Sequence, residues 1–269
     1  MSGRAGHGVY RTLLRATLAG QASYRASFGL ELAGSGLVVL LEFVEVFAVF
    51  TRVPQVSGFS FAEVVLVYAL ASTAFSLADL AVGQTDRVVD HVRSGTFDVV
   101  LLRPLSALGQ LAAADLQLRR LGRLAVAAGM LAIAVATVEV DWTPVRVAGL
   151  AVAPVTGAVL YGALFVASGA LSFWLVDGRE VGNALTYGSG YLSQWPLGVL
   201  GPVLGRFFTF VVPAAFTAYL PVVAILGRDE PLGLPGWLPW ATPLAVAWAV
   251  ALAGLLWRAG IRHYTGAGG

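Results

Sequence analysis

Seven long apolar stretches constrain this chain more than any other feature, because a helix of about 20 apolar residues is long enough to cross the hydrocarbon core of a bilayer. With 58% apolar and only 12% charged residues, the chain is far more apolar than a soluble domain of its length. The sequence therefore predicts an all-α integral membrane protein. The stretches cover residues 28–50, 61–83, 124–138, 147–176, 181–205, 207–227 and 231–257.

The arginines predict how these stretches are threaded, since short cytoplasmic segments are enriched in basic residues. Arginines flank both the first and the last stretch, so both termini are expected in the cytoplasm and the number of crossings should be even. The stretch 207–227 contains Pro213 and Pro221, which interrupt a straight helix. We therefore predict six crossings plus a re-entrant element, 207–227, on the outer side.

The third crossing is the shortest, because 124–138 supplies only 15 uncharged residues. Its helix is expected to begin earlier, near Ser106. In that arrangement Arg119, Arg120 and Arg123 would extend along the helix toward the inner headgroups.

Charge is concentrated in one segment between the second and third crossings, which the arginine pattern places in the cytoplasm. Residues 86–106 hold three aspartates, three arginines and a histidine. From 86 to 92 the charged residues share one helical face and the valines the other, which is typical of a short amphipathic helix. A turn at 94–96 and a restart at Arg103-Pro104 should follow. Such a segment could dock a soluble partner, or could be a solvated loop on the headgroups.

The composition argues against several kinds of functional site. All 17 basic residues are arginine, so the chain has no lysine for a nucleotide-binding P-loop. It has no cysteine for a disulfide, a thiolate metal site or a thiol nucleophile. Its three histidines are too scattered for a metal site, and its basic residues do not cluster with aromatics as in nucleic-acid binding.

Acidic side chains inside the membrane segments are candidates for function, since carboxylates are costly there. Glu31, Glu42 and Glu45 fall on one face of the first crossing, with Glu42 nearest its middle. They could line a pathway that attracts cations or holds protons, or pair with arginines or polar groups across the subunit interface. Asp79 lies near the end of the second crossing, and the fifth crossing is the most polar of the later ones. The candidate pathway residues are Glu31, Glu42, Glu45, Asp79, Asn183, Tyr187 and Gln194.

Two motifs resemble a known family. The stretch RSGTFDVVLLRPLS resembles R-x-G-x-[FL]-D-x-x-L-x-[RK]-P, found in permease subunits of type-2 ATP-binding-cassette (ABC) exporters of the bacterial branch with paired permeases and a separate ATPase. The stretch FVVPAAFTAYLP resembles the F-x-x-P-x-A-F-x-x-Y-x-P pattern that follows the fifth crossing in that branch.

That resemblance implies a single permease domain over residues 1–269. Residues 1–27 would hold a cytoplasmic interfacial helix, with 10–25 as its helical part. Residues 28–258 would hold the six crossings, with a coupling helix in 86–104, and 259–269 would form a cytoplasmic tail. The residues expected at the ATPase are Asp86, Arg87, Asp90, His91, Arg93, Gly95, Phe97, Asp98, Arg103 and Pro104.

The function implied is that of a transmembrane subunit, not an enzyme, in the bacterial inner membrane. ATP and Mg would bind to partner ATPases, in two copies, and the chain itself would bind no cofactor. It would pair with a related permease or a copy of itself and export an amphipathic drug, lipid or natural product. Two rivals stay open, a proton-coupled transporter using the glutamate stripe and a membrane-embedded lipid-modifying enzyme.

Overall fold

The computed structural model describes residues 25–114, 117, 119–175, 178–229 and 232–266, and the interfacial helix predicted over 10–25 lies almost wholly outside them. The described residues form helices and contain no β-strand. The α-helices are α1 Arg25–Phe50, α2 Phe61–Val82, α3 Val88–Arg93, α4 Phe97–Leu102, α5 Ala107–Ala114, α6 Arg120–Thr137, α7 Pro144–Leu171, α8 Gly178–Asn183, α9 Ser189–Leu192, α10 Gly201–Phe210, α11 Tyr219–Leu226 and α12 Thr242–His263.

Within the described part of the chain, five helical stretches are long and apolar enough to cross a membrane. They confirm the prediction of an all-helical membrane protein, while the sixth crossing stays a prediction. The five stretches are Phe28–Phe50, Phe61–Arg93, Arg120–Thr137, Pro144–Leu171 and Leu238–His263.

The fifth predicted crossing does not form one continuous helix over 181–205. Helices α8 and α9 are joined by a π-helical turn, Ala184–Gly188, and together run from residue 178 to residue 192. The helix then stops before Pro196, whose ring removes a backbone donor. A 3-10 turn, Leu197–Leu200, and α10 follow, and the chain changes direction at Gly201, the first residue of α10, whose φ is +72°.

A helix does begin next to Ser106, as predicted for the third crossing, but it does not continue unbroken into residues 124–138. Helix α5 spans Ala107–Ala114, Gln117 is not helical, and α6 begins at Arg120. The restart after the charged segment falls at Ser106 rather than at Arg103-Pro104, because the Ser106 hydroxyl accepts the Gly109 N–H at 3.1 Å.

Helix α2 lies at the centre of the bundle, with α6 and α7 packed against it and α12 packed against α7. Leu66, Tyr68 and Leu70 are completely buried. Helix α7 approaches closely at Gly157, where a Cβ atom would collide with the Thr217 carbonyl oxygen. The core therefore forms where α2, α7 and the chain leading into α11 meet.

The bundle has two ends, which we name by the loops they carry. At the 51–60 end, Arg228 donates to Glu63 at 2.7 Å and lies 5.1 Å above the Phe59 ring. Helices α3 and α4 lie at the 86–104 end. The chain from 217 to 227 follows α7 from its middle, where Thr217 donates to Tyr161 at 3.2 Å, to the 51–60 end. The two prolines of the predicted re-entrant element 207–227, Pro213 and Pro221, are both buried.

We expect Gly122→Ala to destabilise the bundle by about 1–3 kcal/mol, the usual cost of overpacking. A Cβ at Gly122 would collide with the Leu32 carbonyl oxygen of α1, so α1 and α6 would have to separate. Thermal unfolding in detergent would measure the effect. Gly129→Ala in the same helix is the control, since nothing lies within 4 Å of a Cβ there, and it should be neutral or slightly stabilising. Equal melting temperatures for the two variants would contradict this packing.

Candidate functional site

A partly exposed group of polar and charged side chains lies between α1, α2, α6 and the chain around α9. Arg123 of α6 forms an ion pair with Glu42 of α1 at 3.1 Å, and Gln194 donates to the other oxygen of the same carboxylate at 2.9 Å. The Arg123 and Glu42 side chains are 21% and 19% exposed. A carboxylate in this position is costly unless it is paired, so Arg123 and Gln194 are the groups that make Glu42 tolerable here.

Aromatic side chains surround this ion pair. The Arg123 guanidinium lies 5.1 Å above the Phe75 ring of α2, a cation–π arrangement. Tyr191 donates to Glu45 at 2.7 Å, one helical turn from Glu42. Together these contacts give a polar cluster, which we define as Glu42, Glu45, Arg123, Tyr191 and Gln194.

Small residues allow these helices to approach one another. A Cβ at Gly36 of α1 would lie 3.3 Å from the Gly122 carbonyl oxygen, one residue before Arg123. A Cβ at Gly190 would lie 2.8 Å from the Phe75 ring. These two contacts bring α6 against α1, and α9 against α2, which places the ends of long side chains within hydrogen-bonding distance.

A polar cavity of about 410 Å³ extends from the cluster toward the 86–104 end. One wall is the salt-bridged Asp79, whose carboxylate lies 3.2 Å from Arg120, which also donates to Gln84 at 2.7 Å. The cavity therefore presents both signs of charge. It is lined by Glu31, Gly34, Ser35, Val38, Asp79, Arg119, Arg120, Arg123 and Tyr187.

The charged segment at the 86–104 end is amphipathic, as its spacing predicts. Val88 and Val89 are fully buried, while Arg87 and Asp90 are exposed on the other face. The chain then turns at Gly95, whose φ is +70°, and the His91 ring and Thr96 hydroxyl are hydrogen-bonded at 2.9 Å across this turn. The positive φ is the reason a glycine stands at this position.

Two side-chain contacts link this segment to α8 and the π-helical turn after it. Arg179 of α8 pairs with Asp90, and Tyr187 of the turn donates to Asp86 at 3.3 Å. Because Tyr187 and Tyr191 belong to the same broken helix, and Gln194 follows two residues after its end, these contacts connect the 86–104 segment to the polar cluster.

A second link is apolar. The Phe97 ring of α4 is fully buried, with its centroid 5.1 Å from that of Phe173 and 5.2 Å from that of Tyr264. Burial and the neighbouring Asp98 carboxylate raise the pKa of the Tyr264 phenol, so it stays protonated well above neutral pH. The Phe97 ring therefore ties α4 to the ends of α7 and α12.

The structure brings some of the predicted pathway residues together and separates others. Glu42 and Gln194 touch, Glu45 is next to them, and Glu31, Asp79 and Tyr187 line the cavity. Asn183 does not join them, since it lines a separate cavity of about 10 Å³ beside Asp86. Of the remaining segment residues, Arg93, Arg103 and Pro104 are exposed and Asp98 is half-buried.

Sequence reasoning missed the partner groups of this site. Arg120 and Arg123 were expected to reach the headgroups, but they point into the bundle and pair with Asp79 and Glu42. Tyr191 and Arg179 were not predicted as contacts either. Charge balance could have indicated these partners, since three acidic residues in apolar stretches require basic residues at the same depth in the membrane.

The groups of this site are ion pairs and hydroxyl or amide hydrogen bonds, which can be exchanged for contacts to a polar ligand. In the described part of the chain, no cluster of three or more histidine, aspartate or glutamate residues could hold a metal ion.

Comparison with known proteins gives one match. Residues 37–268 match the family model described as ABC-2 family transporter protein. No curated protein matches the chain significantly. No solved structure does so either.

Proposed function

Because the chain belongs to the ABC-2 transporter family and is a multi-pass membrane transport protein, we propose that it is the transmembrane subunit of an ATP-driven exporter. The observation that carries the proposal is the construction of the 86–104 segment. Its apolar face is buried in the bundle, its charged face is exposed, and Asp90 and Asp86 connect it to the broken fifth helix. An exposed charged face that is connected to the fifth helix suits a surface on which a soluble partner acts.

Under this proposal, a different subunit supplies the energy for transport. A P-loop needs a lysine to reach the β- and γ-phosphates of ATP, and the sequence has none. Two separate ATPase subunits would bind ATP and Mg, and their movement would reach this chain through the 86–104 segment. That places the 86–104 end and both termini in the cytoplasm, in agreement with the arginine distribution.

The transmitted movement would act on the polar cluster. One broken helix carries Arg179 and Tyr187 at the 86–104 end and Tyr191 beside the glutamates of α1, and Gln194 follows two residues after its end. The π-helical turn between them is a place where a helix can change register at low cost. A shift of α8 would therefore loosen the hydrogen bonds to Glu42 and Glu45 and open the cavity beside them.

The substrate class that fits this arrangement is an amphipathic molecule, with its polar head in the charged cavity and its apolar part against neighbouring helices. Helix α1 supplies much of that apolar surface, since Leu41 and Phe47 are 57% and 55% exposed. We place the second permease, a related chain or a second copy, against this face. Each subunit would then form half of the pathway.

Co-purification with the ATPase tests the proposal. We expect the double variant Asp90→Ala and Arg93→Ala to lose most of the ATPase that co-purifies with the wild-type protein, and to lose transport with it. Both side chains are exposed at the 86–104 end, so the effect on folding should be small. The measurement is the ratio of the two subunits after affinity purification, with transport followed in vesicles energised by ATP.

Two further variants make this test specific. Arg52→Ala with Glu139→Ala removes one charge of each sign from exposed positions at the opposite end and should leave association unchanged. Arg179→Ala removes only the internal partner of Asp90, and should retain the ATPase while weakening transport. Full association in the Asp90/Arg93 variant, or transport in vesicles that lack any ATPase, would refute the proposal.

A further inference from the structure

A second cavity lies at the 51–60 end, on the side of the bundle away from the polar cluster. It has a volume of about 190 Å³ and is bounded by α7, α11 and the start of α12. Gly149, Val152 and Ala153 of α7 form one wall, and Pro221 and Ile225 of α11 form the other. We call this cavity the α7–α11 slot.

The length of the slot along α7 is close to the thickness of one membrane leaflet. Its α7 residues run from Val145 to Thr156, which corresponds to about 16 Å along a helix rising 1.5 Å per residue. Half the thickness of a typical hydrocarbon core is about 15 Å. Val145 and Val152 are 59% and 55% exposed, so the slot is open along its side rather than enclosed by the bundle.

The mouth of the slot carries a positive charge. Arg146 lines it, donates to the Asp141 carbonyl oxygen at 2.9 Å, and lies over Gly227, the left-handed residue that ends α11. Among the residues that the structure describes, no carboxylate lies within ion-pair distance of Arg146. Trp240, 62% exposed, also lines the slot, and exposed aromatic residues are typical of the headgroup level.

We propose that the α7–α11 slot binds an anionic phospholipid, with one acyl chain between α7 and α11 and the phosphate at Arg146. Burying an acyl chain here gains little from the hydrophobic effect, because the surrounding lipid tails are equally apolar. The charge at the mouth therefore decides which lipid stays. The bound acyl chain would hold α11 against α7 and α12.

Lipid retention by the full-length protein tests this. The protein is reconstituted in nanodiscs with equal amounts of phosphatidylglycerol and phosphatidylcholine of the same acyl chains, then extracted in mild detergent, and the lipids that remain bound are counted by native mass spectrometry. We expect wild type to retain phosphatidylglycerol preferentially. Arg146→Ala should lower that preference about fivefold, the effect of one arginine near a membrane surface.

A second pair of variants tests the apolar part of the slot. Gly149→Leu should fill it and reduce retention of both lipids, while Gly149→Ala should not, since a Cβ there would lie 3.9 Å from Ile225, an ordinary contact. Arg52→Ala, at the same end of the bundle, should keep the preference for phosphatidylglycerol.

Three results would overturn the proposal. One is unchanged retention in Gly149→Leu. Another is an Arg146→Ala variant that is less stable but keeps the lipid preference, which would mean that the arginine only caps α11. The third is loss of a dimer in Gly149→Leu without any change in bound lipid, since a second copy would then occupy the slot. None of these readouts depends on ATPase binding or transport.

Discussion

Replacing Arg123 by alanine should lower the free energy of unfolding by about 3 kcal/mol, the lower part of the range for removing one partner of a buried ion pair. The lower part applies because both side chains keep about a fifth of their exposure, 21% for Arg123 and 19% for Glu42. The variant leaves the Glu42 carboxylate among apolar helices with Gln194 as its remaining hydrogen-bond donor. Unfolding by SDS in mixed micelles measures the loss.

A double variant separates the charge effect from packing. Arg123→Gln combined with Glu42→Gln removes both charges and keeps groups that can hydrogen-bond, so it should be clearly more stable than Arg123→Ala. Arg119→Ala is the matched control, because this nearby arginine is exposed and bonds to Gln117 rather than to a carboxylate. Similar losses in Arg119→Ala and Arg123→Ala would show that the Glu42 pair contributes nothing.

Replacing Phe97 by alanine should cost about 3–4 kcal/mol, within the range for truncating a buried aromatic residue. The ring is completely buried against Phe173 and Tyr264, so its removal leaves a cavity between α4 and the ends of α7 and α12. Under the proposed function, the variant should still bind the ATPase but export poorly, because the partner would push on a loosened segment. Melting temperature, co-purification and transport measure these three effects.

Conservative and neighbouring changes make that result interpretable. Phe97→Leu keeps most of the buried volume and should recover most of the stability and transport. Val99→Ala, in the same helix but 53% exposed, should change stability little. If Phe97→Ala retained full export, the aromatic cluster would have no part in transmitting movement from the 86–104 segment.

Much of the architecture could be predicted because the composition of each apolar stretch indicates by itself whether that stretch lies in a membrane. The first, second, third, fourth and last stretches all overlap long helices suited to a membrane. The alternation of valine and charge after Asp86 likewise predicted which face of α3 is buried, and Gly95 predicted the turn. The two motifs predicted the family that the match over residues 37–268 then showed.

Breaks inside helices were harder to predict. The stretch 181–205 has no charge and reads as one crossing, yet its helix ends before Pro196. In a membrane protein a proline or glycine can be accommodated within a helix or can end it, depending on which neighbours satisfy the freed backbone groups. The chain around this break packs on distant segments, for example through the Ser193 hydroxyl, which donates to the Ala214 carbonyl oxygen 21 residues away in sequence.

The sequence by itself determined that this chain is a helical membrane protein with one amphipathic segment, because transfer of a stretch into lipid depends mainly on its own side chains. Only the tertiary structure decided which charges are paired. Arg123 and Glu42 are 81 residues apart, and nothing local distinguishes an arginine that reaches the headgroups from one that enters the bundle. Glycine contacts between α1 and α6 settle the matter, since they place the two side chains at the same depth, where pairing costs less than leaving either charge alone.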